Sequence, residues 1–159
     1  MPAPPAAAPP RLRAPVRRSV ARFADVACPP QVRTERRTVQ VLAEFELLLG
    51  ALRPAARRAV GAAFVAVDQG ARLYPPARGR RFARLGDQAA EAYLRALLSR
   101  RDGIGGLARR LKGLVVMCYY ALPAVQEEIG YRPAPYIAAV SRRRLASYGP
   151  EIRAAEENR

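Results

Sequence analysis

Apolar residues in this chain recur three and four positions apart from Val20 to Tyr148, and proline and glycine punctuate the runs. That spacing is the period of a helix with one buried stripe. No segment sustains the two-residue alternation of a half-buried strand, and no internal repeat is evident. The pattern predicts an all-α fold, a single compact helical domain of about five to seven helices.

Val20, Phe23, Val26 and Ala27 mark a first helix that Pro29 and Pro30 end. Thr34 is the expected N-cap of a second, with Val41, Leu42, Phe45, Leu48, Leu49 and Leu52 on one stripe. Pro54 suits the first turn of a third, where its missing amide hydrogen costs nothing, and Ala56, Val60, Phe64 and Val67 form its inner face. Gly70 and Pro75-Pro76 close it and lead through the arginine-rich ARGRR to a turn presenting Phe82 and Leu85. Asp87 is the expected cap of the next helix, with Ala90, Tyr93, Leu94, Leu97 and Leu98 inward, and RDGIGG ends it. Another carries Leu107, Leu111, Leu114, Val115, Cys118, Tyr119 and Leu122 on one side. The last runs from about Pro135 to Tyr148 and stops at Gly149 and Pro150. Residues 1–15, MPAPPAAAPPRLRAP, are low in complexity and are expected to be a disordered basic arm. The helical domain is then 16–149, followed by a charged tail, 150–159.

The net charge of +15 invites an anionic partner. Every basic residue except Lys112 is arginine, however, and acidic residues interrupt the arginines from Asp25 onward, so a solvated arginine surface is expected ahead of a nucleic-acid face. Histidine is absent, and with it the usual zinc ligand and proton carrier. Cys28 and Cys118 lie far apart in apolar surroundings and read as buried thiols. The pair Arg17-Arg18 superficially matches a twin-arginine signal, but Arg22, Asp25 and Pro29-Pro30 occupy the place of the apolar run that such a signal needs. The longest apolar run, Gly113 to Val125, is broken by Pro123 and is too short to span a bilayer. A cytoplasmic chain without a transmembrane segment is expected, export with a partner remaining open.

Few motifs suggest chemistry. DGIGG ahead of Arg109 and Arg110 lacks the spacing and the preceding strand of a phosphate loop and reads as a helix-to-helix turn. Glu127 and Glu128 are adjacent, so on a helix they point about 100° apart and do not converge as an acid/base pair. Arg142, Arg143 and Arg144 form a basic run on the last helix. The helix from Leu107 to Leu122 is the informative element. Its first half is amphipathic, whereas Val116, Met117 and Tyr120 occupy in its second half the side held earlier by Arg109, Arg110 and Lys112. Such a helix has to be covered all round, by its own domain or by a second protein.

The segments RFARLGDQAAEAYLRALL and LKGLVVMCYYALPAVQEEIGY, with an upstream helix ending in AVDQG, resemble the small subunits of flavin-dependent dehydrogenases typified by gluconate 2-dehydrogenase subunit 3. The likeness covers residues 40 to 131 and is strongest in the double tyrosine, the proline and the Gly-Tyr pair. It implies a non-catalytic helical subunit, without a cofactor of its own, that binds a large FAD-containing dehydrogenase of the glucose-methanol-choline type and supports its maturation. It further implies that Tyr119, Tyr120, Pro123, Gly130 and Tyr131 form a structural corner near the partner surface, and Val116 and Met117, on the apolar outer side of the same helix, join the expected partner-binding residues. The alternative is a basic helical protein that binds nucleic acid through the N-terminal arm and Arg142 to Arg144.

Overall fold

The computed structural model describes the backbone of residues 11–157 and the side chains of 11–150. Its elements are α1 (Ala14–Ala27), α2 (Gln31–Thr34), α3 (Thr38–Ala51), α4 (Pro54–Gly70), α5 (Asp87–Ser99), α6 (Gly103–Tyr120), α7 (Pro123–Glu128) and α8 (Pro133–Glu157). Three short 3-10 turns, Ala71–Leu73, Pro75–Ala77 and Phe82–Arg84, join α4 to α5. No strand occurs among the described residues, as the all-α reading expects; the short α2 and α7 take the helix count past seven. By its contacts the chain divides into two compact units, the first ending at Leu122 and the second beginning at Pro123.

In the first unit α1 packs against α3, α4, α5, α6 and the Phe82–Arg84 turn. The reason is aromatic. The side chains of Phe23, Phe45, Phe64 and Phe82 are fully buried, and they are all the phenylalanines the chain has. Phe45 of α3 meets Phe64 of α4 edge to face at 5.4 Å between ring centroids; Phe64 meets Phe23 of α1 at 5.6 Å, and Phe23 meets Phe82 at 5.8 Å. Tyr93 of α5 continues the column at 5.7 Å from Phe82, and Tyr74 lies 5.5 Å beyond it. Each such pair adds about 0.5–1.5 kcal/mol to the burial of the rings themselves. The Tyr93 hydroxyl donates to the carbonyl of Val67 at 2.9 Å, so its polar end is satisfied inside the core.

Polar staples fix the rest. Ser19 Oγ donates to the carbonyl of Phe64 at 3.2 Å, and the buried Asp68 accepts the amide of Ala83 at 2.9 Å. Thr38 Oγ1 donates to Asp25 at 2.7 Å, tying the start of α3 to α1. Arg22 bridges Asp87 and the carbonyl of Leu85, both at 2.7 Å, while Arg33 reaches the other oxygen of Asp87 at 2.9 Å. Asp87 is therefore held below the usual carboxylate range, chiefly by its hydrogen bond from Arg22.

Several sequence expectations shift. Thr34 ends α2 instead of capping a longer helix, because the chain reverses at Arg36, which takes a positive φ while the Arg37 amide bonds back to the carbonyl of Val32 at 2.9 Å. Asp87 lies inside the first turn of α5, with Gly86 at the cap. Ala56 and Leu107 are both exposed, since α4 and α6 bury narrower stripes than their leucines and alanines suggest. α1 begins at Ala14, inside the stretch expected to be an arm; of that stretch residues 1–10 lie outside the described part. In the second unit α8 starts at Pro133 and runs through Gly149 and Pro150. The prolines at 133 and 135 fall in the first turn, where amides have no helical partner, and the exposed backbone at Pro150 lets water satisfy the carbonyl left without a donor. The tail expected from residue 150 is thus helical as far as Glu157.

Asp102 caps α6, its side chain accepting the Gly105 amide at 3.0 Å, and Gly105 is the residue this junction requires. A Cβ there would lie 2.1 Å from the carbonyl oxygen of Arg100, inside any possible contact, whereas one at Gly113 would meet nothing within 4 Å. Gly105→Ala is expected to destabilise the protein by about 1–3 kcal/mol through that clash. Gly113→Ala is expected to stabilise it by about 0.5–1 kcal/mol through helix propensity. Urea unfolding followed by circular dichroism measures both, and the opposite signs are the check.

Candidate docking surface

The inner side of α6 is built from small and branched residues: Gly105, Ala108, Leu111, Val115, Cys118 and Tyr119 are buried. At 100° per residue these cluster in one half of the helix, which places Met117 and Tyr120 near the opposite side, with Val116 at its border. Met117 is 51% exposed and Tyr120 43%, while Val116 is half-buried. The outer side of the last turns of α6 is therefore apolar and open.

The residues expected in the corner separate by role. Tyr119 is 3% exposed and lies inside, its ring edge to face with Tyr120 at 5.2 Å, so it braces Tyr120 and does not itself face outward. Pro123 opens α7 in the position where a helix tolerates proline. Gly130 ends α7: its φ of +70° belongs to the left-handed region, its amide bonds to the carbonyl of Glu127 at 3.1 Å, and the Tyr131 amide bonds to that of Gln126 at 2.8 Å. Those two bonds are a Schellman stop, which explains the Gly-Tyr pair without reference to a partner. The Tyr131 side chain is exposed. Glu127 and Glu128 are exposed on α7, and Arg142, Arg143 and Arg144 are exposed on α8 at successive positions that point in three directions.

Two further apolar surfaces escaped the sequence reading. On α3, Val39, Ala43 and Leu47 are exposed at four-residue intervals, opposite the buried Val41, Leu42, Phe45 and Leu49, and α3 is a direct neighbour of α6. Leu48 and Leu52 drew attention to the inner stripe, although the helix is apolar nearly all round and that was the available signal. On α8, Tyr136, Ile137, Leu145 and Tyr148 are exposed. Ile137, Leu145 and Tyr148 fall within about 80° of one another at 100° per residue, a stripe the sequence could have shown, whereas Tyr136 lies to one side of it.

No group of three or more acidic or thiol side chains placed to hold a metal occurs among the described residues. No described helix is long and apolar enough to cross a membrane. Cys28 and Cys118 are both free thiols and both buried. Burial pushes Cys118 up to about 11, with help from the charge of Glu44, and pushes Cys28 up to about 12, with help from Cys118 and Asp25. Compared with known protein families, with curated proteins and with solved structures, the chain matches none.

The thiols give a pH test of the packing behind this face. Folded, they keep their protons where unfolded thiols lose them, so their contribution is complete below the ordinary thiol value near 8.5 and is lost as pH rises toward 11–12. The urea midpoint is expected to fall between about pH 8.5 and 10 in the native protein, and to fall less in the Cys28→Ala/Cys118→Ala variant. Equal slopes would mean that the thiols are not buried as described.

Proposed function

We propose that the chain is a non-catalytic accessory subunit that docks on a large FAD-containing dehydrogenase of the glucose-methanol-choline type and supports its maturation. The observation that carries this reading is the exposure of Met117 and Tyr120 on the outer side of α6, within the stretch that resembles the small-subunit family. A methionine and a tyrosine suit such a role. The thioether adapts to an irregular partner surface, and the phenol supplies apolar area while its hydroxyl keeps a polar contact at the boundary. The open apolar positions of the neighbouring α3 add to the area that a partner can cover.

Stable docking of this kind concentrates its energy in a few central side chains. Met117→Asp places a charge on the face, and Tyr120→Ala removes its largest ring. In co-expression of the tagged full chain with a flavoprotein dehydrogenase of this type from the same genome, each variant is expected to lower the co-purified flavin absorbance at least tenfold, a loss of about 1.4 kcal/mol or more. Helical circular dichroism should stay unchanged, since neither residue is in the core. Undiminished recovery of the flavoprotein by both variants would overturn the reading.

A further inference from the structure

A different part of the first unit gathers more positive charge than its carboxylates pair with: Glu46 accepts the amide of Leu12 at 3.1 Å and, among the described residues, forms no ion pair with the arginines there. A half-open cavity of about 650 Å³ lies where the start of α1 faces α4 and the end of α3. Val16, Leu49, Ala62 and Val65 supply its apolar lining, and Arg11, Arg13, Arg57, Arg58 and Arg81 supply guanidinium groups. Arg57 is already committed: it donates to the carbonyls of Leu49, Gly50 and Leu52 and so closes the C-terminal end of α3. No carboxylate pairs with Arg13, Arg58 or Arg81 among the described residues. A second cavity of about 270 Å³ shares Pro15 and Arg81 with the first and adds Arg18 and Arg84. Its acidic residue, Asp68, is buried and accepts the amide of Ala83.

Like charges lining one cavity repel one another, and a concave site concentrates their field. The arrangement fits an anion that brings several negative groups along a line. The apolar lining narrows the class further. Neither cavity contains an aromatic ring on which a nucleic-acid base could stack, and the phosphates of a duplex would leave the floor of Val16 and Val65 unused. A flat bilayer surface does not reach a concave floor. Residues 1–10 of the chain, MPAPPAAAPP, carry no carboxylate to offer. A peptide chain has both required elements, since carboxylates pair with guanidinium forks and an apolar side chain fills the floor.

We propose that these two cavities, joined at Arg81, dock an extended acidic segment of a partner protein, with an apolar side chain on the Val16–Val65 floor and carboxylates on Arg13, Arg58 and Arg81. The site lies on elements other than the outer side of α6, and it does not depend on the partner being a dehydrogenase.

Fluorescence anisotropy of the full-length protein with a labelled peptide of alternating glutamate and leucine tests it. At low salt the peptide is expected to bind and to weaken steeply as salt is added. Arg58→Glu/Arg81→Glu should weaken binding at least about tenfold, and Val65→Asp about as much, whereas Arg143→Glu on α8 should leave it unchanged. A polyglutamate peptide of equal length should bind several-fold less tightly than the alternating one. Absence of binding, an unaffected Arg58→Glu/Arg81→Glu variant, or equal affinity for polyglutamate would overturn the proposal. So would tighter binding of an oligothymidine or of phosphatidylglycerol vesicles, which would reassign the cleft to nucleic acid or to a lipid surface. Because the probe is a synthetic peptide, these outcomes are independent of whether Met117 and Tyr120 contact a flavoprotein.

Discussion

Four phenylalanine rings in edge-to-face contact decide where the helices of the first unit stand. Phe23 sits in the middle and touches Phe64 on one side and Phe82 on the other. An edge-to-face pair is directional, because the positive rim of one ring meets the negative face of the next, so α1 cannot rotate about its axis without losing both contacts. With α1 fixed, its neighbours in sequence are fixed too. Ser19, one turn earlier, reaches the carbonyl of Phe64, and Arg22, adjacent to Phe23, is carried to Leu85 and Asp87. The polar staples follow from the aromatic column and depend on it.

The same constraint determines what α6 can show to the outside. Its inner side has to pass close to the backbone at the end of α5, where only Gly105 fits, and to lie against α1, α3, α4 and α5 through Ala108, Leu111 and Val115. Small inner residues bring backbones near one another, and the longer Met117 and Tyr120 are left on the far side. α3 repeats the arrangement, with Phe45 and Leu49 inside and Val39 and Leu47 outside. The open apolar positions of α3 and of the last turns of α6 differ from the outer side of the amphipathic α5, which carries Arg95 and the partly exposed Glu91. The proposal of a docked partner rests on this difference.

Much of this was legible from spacing alone. The stripes through Phe23, Phe45, Phe64 and Tyr93 were identifiable because large buried residues at three- and four-residue intervals have no other simple explanation, and Pro54 and Gly70 bounded α4 as proline and glycine should. The helix ends that depended on capping chemistry were less legible. Thr34 and Asp87 are good caps by composition, yet backbone turns at Arg36 and Gly86 took precedence, and neither leaves a strong trace in sequence. The role of Tyr119 was also hidden, since adjacent tyrosines on a helix point about 100° apart and only the packing of α6 decides which of the two is inside. Gly130 and Tyr131 were noticed as a pattern before their reason was visible in the two backbone bonds that stop α7.

The arginines show why net charge by itself says little. A formal +15 spread evenly would be a solvated surface and nothing more. Here a share of it is consumed in holding helix ends: Arg57 closes α3, and Arg109 donates to the carbonyls of Leu98 and Arg100 at the end of α5, at 2.9 and 2.8 Å. Arg22, Arg33 and Arg37 are consumed in ion pairs. The planar fork of several donors makes arginine suited to this work, which a lysine ammonium on its flexible stem would do less well. Among the arginines not so committed, Arg11, Arg13, Arg18, Arg58, Arg81 and Arg84 line two adjoining cavities. That share of the charge is local, and among the described residues no ion pair neutralises it, so the proposed partner site rests on it and not on the total from which it is drawn.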